Sequence, residues 1–318
     1  MIRNKITVLI FSLAFSVSFS QTNLFTLVGH NGNVNVVAFS KDGKYLLSGS
    51  QDASIIVWNV EKNFSNEKAI TISNSSITDI DFSPSGNEIA ISTYKSFFTY
   101  NFPELKKLCK RKNAHTSFVK CANFSKNGEL IITSSWRDNT LILWKTKKLK
   151  KERIFPESEW TDYARIIADD SCVASANHSN TIKIWDITNG NLIRTLAGHK
   201  DWVYCFFVTI DGKYLVSGSL DKTIKVWDLN NGKLIKSIEA HSDGVTSLCL
   251  SGNGKYFAST SLDKTIKIWS IESFSEIAVL KGHNETVLSA AFSPDSKYLA
   301  TSSSDKTIKI WDIRNLLK

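Results

Sequence analysis

The chain has 318 residues and a formal net charge of +9. Its 42% hydrophobic and 22% charged residues describe a globular protein, and its four prolines exclude long proline-rich linkers. Five scattered cysteines, an odd number, exclude a disulfide framework.

Residues 1–20, MIRNKITVLIFSLAFSVSFS, open with Arg3 and Lys5 and run apolar from Ile6 to Phe19. A basic start, a short apolar core and small residues at the −3 and −1 positions describe a secretory signal peptide cleaved near Ser20/Gln21. The apolar run falls short of the ~20 residues that span a bilayer, which leaves an uncleaved anchor as the rival reading. The expectation is an exported protein, periplasmic or extracellular, with residues 21–318 as its mature domain.

From Asn23 onward one phrase recurs. Trp58, Trp144, Trp185, Trp227, Trp269 and Trp311 mark it, Tyr100 fills the one gap, and the steps run from 41 to 44 residues. In residues 203–240 an apolar run, Val203 to Ile210, passes through the turn Asp211-Gly212 to a predicted strand at Tyr214–Ser219. A turn at Asp221-Lys222, a strand at Thr223–Trp227, a turn at Asn231-Gly232 and a strand at Leu234–Ile238 follow. Four short strands joined by Gly, Asp and Asn turns make one antiparallel sheet. Such a sheet cannot bury both faces alone, so copies must stack, and twisted copies stacked face to face close into a ring. The expected fold is all-β: a seven-bladed β-propeller of four-stranded antiparallel blades.

Gly198-His199, Asp221 and Trp227-Asp228 make this unit resemble the WD-repeat family of β-propellers. The resemblance implies a buried hydrogen-bonded set in each blade, in which indole, hydroxyl, imidazole and carboxylate satisfy one another. The matching residues are His30, Ser48, Asp52, Trp58; His115, Thr133, Asp138, Trp144; and His199, Ser217, Asp221, Trp227. His241, Ser259, Asp263, Trp269 and His283, Thr301, Asp305, Trp311 complete five sets, with Ser50 left open as the alternative to Ser48. The second unit departs, with Ser73, Tyr94 and Tyr100 in place of His, Asp and Trp. The fourth carries Glu157 and Ser179 for His and Asp, and the third has an additional residue at Trp136-Arg137 that predicts a widened turn. In this family the chain's beginning supplies the outermost strand of the last blade. Here NLFTLVGH at 23–30 parallels NLIRTLAGH at 191–199, and only six residues follow Trp311-Asp312.

No GxSxG, HExxH or phosphate-cradling glycine loop occurs, and no enzymatic activity, metal or cofactor is expected. Five of the six histidines fall in the sets, and His178 has no Cys or His at ligand spacing. Cys121 and Cys205 take the place of Val36 and read as small buried hydrophobes. The family resemblance directs attention to the channel rim. There Phe118, Trp136, Arg137, Trp160, Asp162, His178, Trp202, Tyr204 and Leu220 fall on blades three to five, while the second unit contributes Ser76, Thr78 and Thr93. Clustered aromatics with arginine make interaction hot spots, so the first reading is a monomeric, non-enzymatic scaffold for a protein or peptide. The competing reading tucks these rings into inter-blade packing. A carbohydrate-binding or enzymatic propeller, using Asp162 and His178 at the channel mouth, is the functional alternative.

A second feature is basic: Lys106, Lys107, Lys110, Arg111 and Lys112, then Lys147, Lys148, Lys150, Lys151 and Arg153, at the predicted outer strands of consecutive blades. It reads either as a weak contact for an anionic surface or as lysines guarding exposed edges. Export argues against a nucleic acid partner. Sequons begin at Asn63, Asn74, Asn123, Asn177 and Asn284. Asn123 sits inside a predicted strand where a glycan could not fit, which favours a bacterial-type exported protein.

Overall fold

The computed structural model describes residues 23–157 and 159–316, and they form a ring of seven four-stranded antiparallel sheets. The proposed signal peptide, residues 1–20, lies outside the described residues. In six blades the strands run in chain order from the axis to the rim. The fifth blade shows the frame: Val203–Val208, Tyr214–Ser219, Thr223–Asp228 and Leu234–Glu239.

Burial explains the composition of each strand. The second strand of a blade is covered on both faces by its neighbours, so Tyr45–Ser50 is buried almost throughout and carries leucine, serine and glycine. The outermost strand of the same blade, Ser65–Thr71, is almost wholly exposed and reads SNEKAIT. The turn between first and second strands needs a left-handed residue. Gly43, Gly86, Gly128, Gly212 and Gly254 supply it at φ between 69° and 77°, while Ser296 does so at 57° in the last blade.

The seventh blade is closed by the chain's beginning. Phe25–Val28 pairs antiparallel with Thr307–Asp312, with Thr26 opposite Lys309 and Leu27 opposite Ile308. Leu27 is buried against Ile308 and Ile310.

One irregularity repeats in all seven first strands. The register slips near the start of each strand, after the first residue in six blades, as between Val34 and Val36, and after the second in the third blade, between Val119 and Cys121. Each slip is a β-bulge that turns one side chain out of the ladder. The bulged residues are Asn35, Thr78, Lys120, Asp162, Tyr204, Thr246 and Leu288, and every one of them lines a central channel of about 1050 Å³. Some stitch neighbouring blades. Asn35 Nδ2 donates to the Ile77 carbonyl at 2.7 Å, and Thr78 Oγ1 donates to that of Val119 at 2.6 Å.

The five cysteines are free thiols, with Cys121 and Cys205 buried where Val36 sits in the first blade. Asn123 is 2% exposed, and its amide donates to the Ala164 carbonyl at 3.1 Å. Asn177 is fully buried as well, so two of the five sequon asparagines are inaccessible in the folded ring.

Candidate functional site

The five residue sets assemble as closed networks. His Nε2 lies 2.7–2.9 Å from the Ser or Thr hydroxyl of the second strand. The Trp indole N–H donates to that same oxygen at 2.9 Å in every case. His Nδ1 meets the turn carboxylate at 2.8–3.2 Å. Ser48, not Ser50, is the hydroxyl of the first set; Ser50 Oγ instead accepts the Asp52 N–H. A fifth member escaped the sequence reading. The hydroxyls of Ser54, Thr140, Thr223, Thr265 and Thr307 donate to the second carboxylate oxygen of the turn Asp. The signal was present as Asp-x-Ser/Thr in all five units.

Burial disfavours the charged form of His30 and His199 and outweighs the pull of Asp52 and Asp221, lowering both imidazoles below their ordinary value. At Asp52 burial is outweighed by hydrogen bonds from Ser54 and the Asn31 N–H, which hold the carboxyl at about 2.

Two blades lack the set and solve the problem differently. In the fourth, Glu157 takes the imidazole's place: the Ser175 hydroxyl donates to one carboxylate oxygen, and Lys183 Nζ meets the other at 2.8 Å. Trp185 Nε1 still donates to Ser175, at 3.3 Å. In the second blade Ile91 replaces the hydroxyl residue, since Ile89 pairs with Tyr100 as Leu46 pairs with Trp58. The following turn is one residue shorter and closes with Thr93 N–H donating to the Ser96 carbonyl at 2.9 Å. This shortening corrects the rim assignment there. Thr93 is 1% exposed, while Tyr94, placed by sequence at the Asp position, is 42% exposed and joins the rim.

The rim aromatics form one unbroken arc across blades two to five. Tyr94 meets Phe118 at 4.6 Å between ring centroids, Phe118 meets Trp136 at 6.1 Å, and Trp136 meets Trp160 at 5.4 Å. Trp160 packs against His178 at 5.3 Å, and His178 stacks on Trp202 at 3.9 Å, with Tyr204 against its edge at 6.5 Å. The additional residue of the third blade extends its first hairpin, so that Phe118 and Trp136 pair directly. Arg137 is thrown to φ 92° and lays its guanidinium over Trp136 at 4.6 Å and Trp160 at 5.1 Å. Leu220 stands apart, packed against Gly244 of the next blade.

Beneath the rings lies a charged relay. Asp162, on the bulge of the fourth blade, is buried between Lys120 at 3.1 Å and His178, which bonds its other oxygen. The carboxyl loses hydration there, but Lys120 and His178 more than compensate and hold it below its ordinary value. Deeper in the channel, burial and the neighbouring Asp81 raise Asp79 to about 7. Arg165 lies 3.9 Å from Asp81 and donates through Nε to the Tyr163 hydroxyl at 2.6 Å.

The basic residues lie on or beside the outer strands Lys107–Arg111 and Lys150–Pro156 and on the short turn Lys147–Leu149, which joins the last two strands of the third blade. Several of them cover third-strand rings: Lys110 over Phe98, Lys107 over Phe98 and Tyr100, Arg111 and Lys151 over Trp144. Arg153 is engaged by the carbonyls of Ile187, Thr188 and Asn189 of the next blade.

The pattern of the WD40 family, described as WD domain, G-beta repeat, matches residues 21–59, 106–145, 190–228, 232–270 and 274–312. The unmatched stretches hold the inner strands of blades two and four, where the residue set is lost. The chain is 26% identical over 176 residues to the pre-mRNA-splicing factor cwf17 of Schizosaccharomyces pombe, covering 55% of this chain and 52% of the relative. It is 25% identical over 203 residues to the guanine nucleotide-binding protein subunit beta of Zea mays, covering 58% and 53%. The U5 small nuclear ribonucleoprotein 40 kDa protein of Dictyostelium discoideum is 26% identical over 180 residues, covering 56% and 50%. The chain spans about half the length of these curated relatives. With five repeats matched and seven blades in the ring, this chain belongs to the WD40 family of β-propellers.

Proposed function

We propose that this propeller is an exported, monomeric and non-enzymatic scaffold that binds a protein or peptide along the arc from Tyr94 to Tyr204. The observation that carries the reading is the continuity of that arc at one mouth of the channel, with Arg137 over two of its rings. A rigid row of rings loses little entropy when covered, which is what a binding surface needs. The relatives named above include, by name, a subunit of a larger protein and a ribonucleoprotein component, and a partner-binding role is consistent with that company.

The carbohydrate or enzymatic alternative finds less support in the geometry. Both oxygens of Asp162 are bonded within the protein, and the His178 side chain is 5% exposed beneath Trp202. The pair holds the rings in place instead of facing a substrate.

The test is affinity capture with residues 21–318 beside a Trp160→Ala/Trp202→Ala variant. A partner retained by the parent and weakened by about 2 kcal/mol or more in the variant, at nearly unchanged melting temperature, is the expected result. Equal retention by both would remove the arc from the binding surface. Export is checked separately by sequencing the N-terminus of the mature chain, which should begin at Gln21.

A further inference from the structure

The second blade is the place where the family's polar network is gone, and a cavity stands where that network would be. It measures about 360 Å³ and is lined by Ser73, Asn74, Ser75, Thr93, Ser96 and Lys110. Tyr94 and Phe98 form part of its wall. In the five regular blades the corresponding loop and turn are tied together by His and Asp. Here the loop carries small hydroxyl residues, the turn is a residue shorter, and neither contributes an imidazole or a carboxylate.

Two properties of the lining define what it can hold. The first is free hydrogen-bonding capacity. Among the described residues the Asn74 amide and the Ser75 and Ser96 hydroxyls make no hydrogen bond to the protein, whereas Ser73 and Thr93 are engaged locally with Ser75 and Ser96 backbone groups. The second is charge. No acidic side chain lines the cavity, and Lys110 has no carboxylate partner among the described residues; its ammonium lies 4.7 Å from the Phe98 ring. Loss of hydration, with Lys112 and Lys107 nearby, lowers the Lys110 ammonium below its ordinary value, and a bound anion would act in the opposite direction. A metal cation finds no carboxylate and meets a field of its own sign. A neutral polyol could use the hydroxyls but would gain nothing from the lysine.

We propose that this cavity is an oxyanion site, taking a phosphate or sulfate group either as the free ion or as the modified side chain of a peptide. Hydroxyl and amide donors converge with one ammonium, the donor set that binds such groups by charge-assisted hydrogen bonds. Because Tyr94 is both a wall of the cavity and the first ring of the arc, a modified peptide lying on the arc would reach it without leaving the surface. The site stands without the arc, however, and can be tested alone.

The experiment is an NMR or calorimetric titration of residues 21–318 at constant ionic strength. The probes are inorganic phosphate, a capped Ala-phosphoserine-Ala tripeptide, its unphosphorylated form and glucose. The expected result is saturable binding of a phosphorylated probe, weakened about tenfold in Lys110→Ala and much less in Lys112→Ala, which lies outside the cavity. Preference for the tripeptide would assign the site to a modified side chain, and equal or better binding of phosphate to the free ion. No saturable binding of either, equal losses in both lysine variants, or equal binding of glucose would overturn the proposal. Melting temperatures control for folding, and Lys110→Gln, which keeps the side chain over Phe98, serves if the alanine variant melts early.

Discussion

Glu157 and Lys183 show how one buried residue can be exchanged for another of opposite character when a neighbour changes with it. An imidazole satisfies a hydroxyl without net charge, whereas a carboxylate in the same place demands a cation, and Lys183 reaches it across the sheet with 12% of its side chain exposed. Glu157→Ala takes a partner from both Lys183 and Ser175 and should cost about 3 kcal/mol, measured by urea unfolding. A loss below 1 kcal/mol would mean that the pair is solvated and idle. Trp227→Ala should cost about 3–5 kcal/mol through the cavity it leaves, unlike the rim tryptophan Trp202. The five complete sets were legible because their residue types recur at fixed intervals. Lys183 was not, since Lys225, Lys267 and Lys309 occupy the same strand position in other units, and spacing did not show that only Lys183 faces an acid standing in the imidazole's place. Tyr94 was misread for a similar reason: a one-residue shortening of the turn displaces by one place the residues before it when they are counted back from Tyr100, and sequence spacing alone does not say where the residue was lost.

At the scale of the strand, two devices position everything else. The bulge in each first strand decides which residue looks into the channel mouth, and it is why Lys120, Asp162 and Tyr204 meet there. Sequence alternation located the strands to within a residue or two but held no sign of the slip, because the bulged residue simply continues the apolar-polar alternation. The terminal strand is the other device, and it was legible from the likeness of residues 23–30 to 191–199. Leu27→Asp puts a charge between Ile308 and Ile310, where it has no partner. The expected loss is about 3 kcal/mol, with faster proteolysis of the final blade. The same change at Val28, which is 72% exposed, should be nearly silent. Comparable losses at both positions would mean that the strand is not seated as described.

For the molecule as a whole, the networks predict how stability follows acidity. Burial lowers His30 and His199, so the folded ring binds fewer protons than the open chain once pH falls below the unfolded imidazole value of 6.5. Stability from these residues is therefore present above that value and drains away as pH falls through the lowered folded ones. The carboxylates act later. Asp52, at about 2, contributes stability that is present above the unfolded value of 3.8 and lost as pH drops toward 2. Asp79, raised to about 7, works against the imidazoles by gaining stability as pH falls from 7 toward 3.8. The prediction is therefore for an Asp79→Asn variant, whose melting temperature should decline in two stages, one beginning near pH 6.5 and a steeper one below about pH 4. A flat profile from pH 7 to 5 would show that the imidazoles titrate as they do in the open chain.

Closure by two segments some 280 residues apart also sets a timetable. Phe25 to Val28 are made well before their mates at Thr307 to Asp312, so during synthesis the leading segment has no native bed to lie in until those mates emerge. Until Thr307 to Asp312 arrive, the ring is a crescent with two raw apolar borders, one at each horn. Any stop codon before Thr307 would freeze it in that shape, and such products should clump or be degraded instead of surviving as smaller rings.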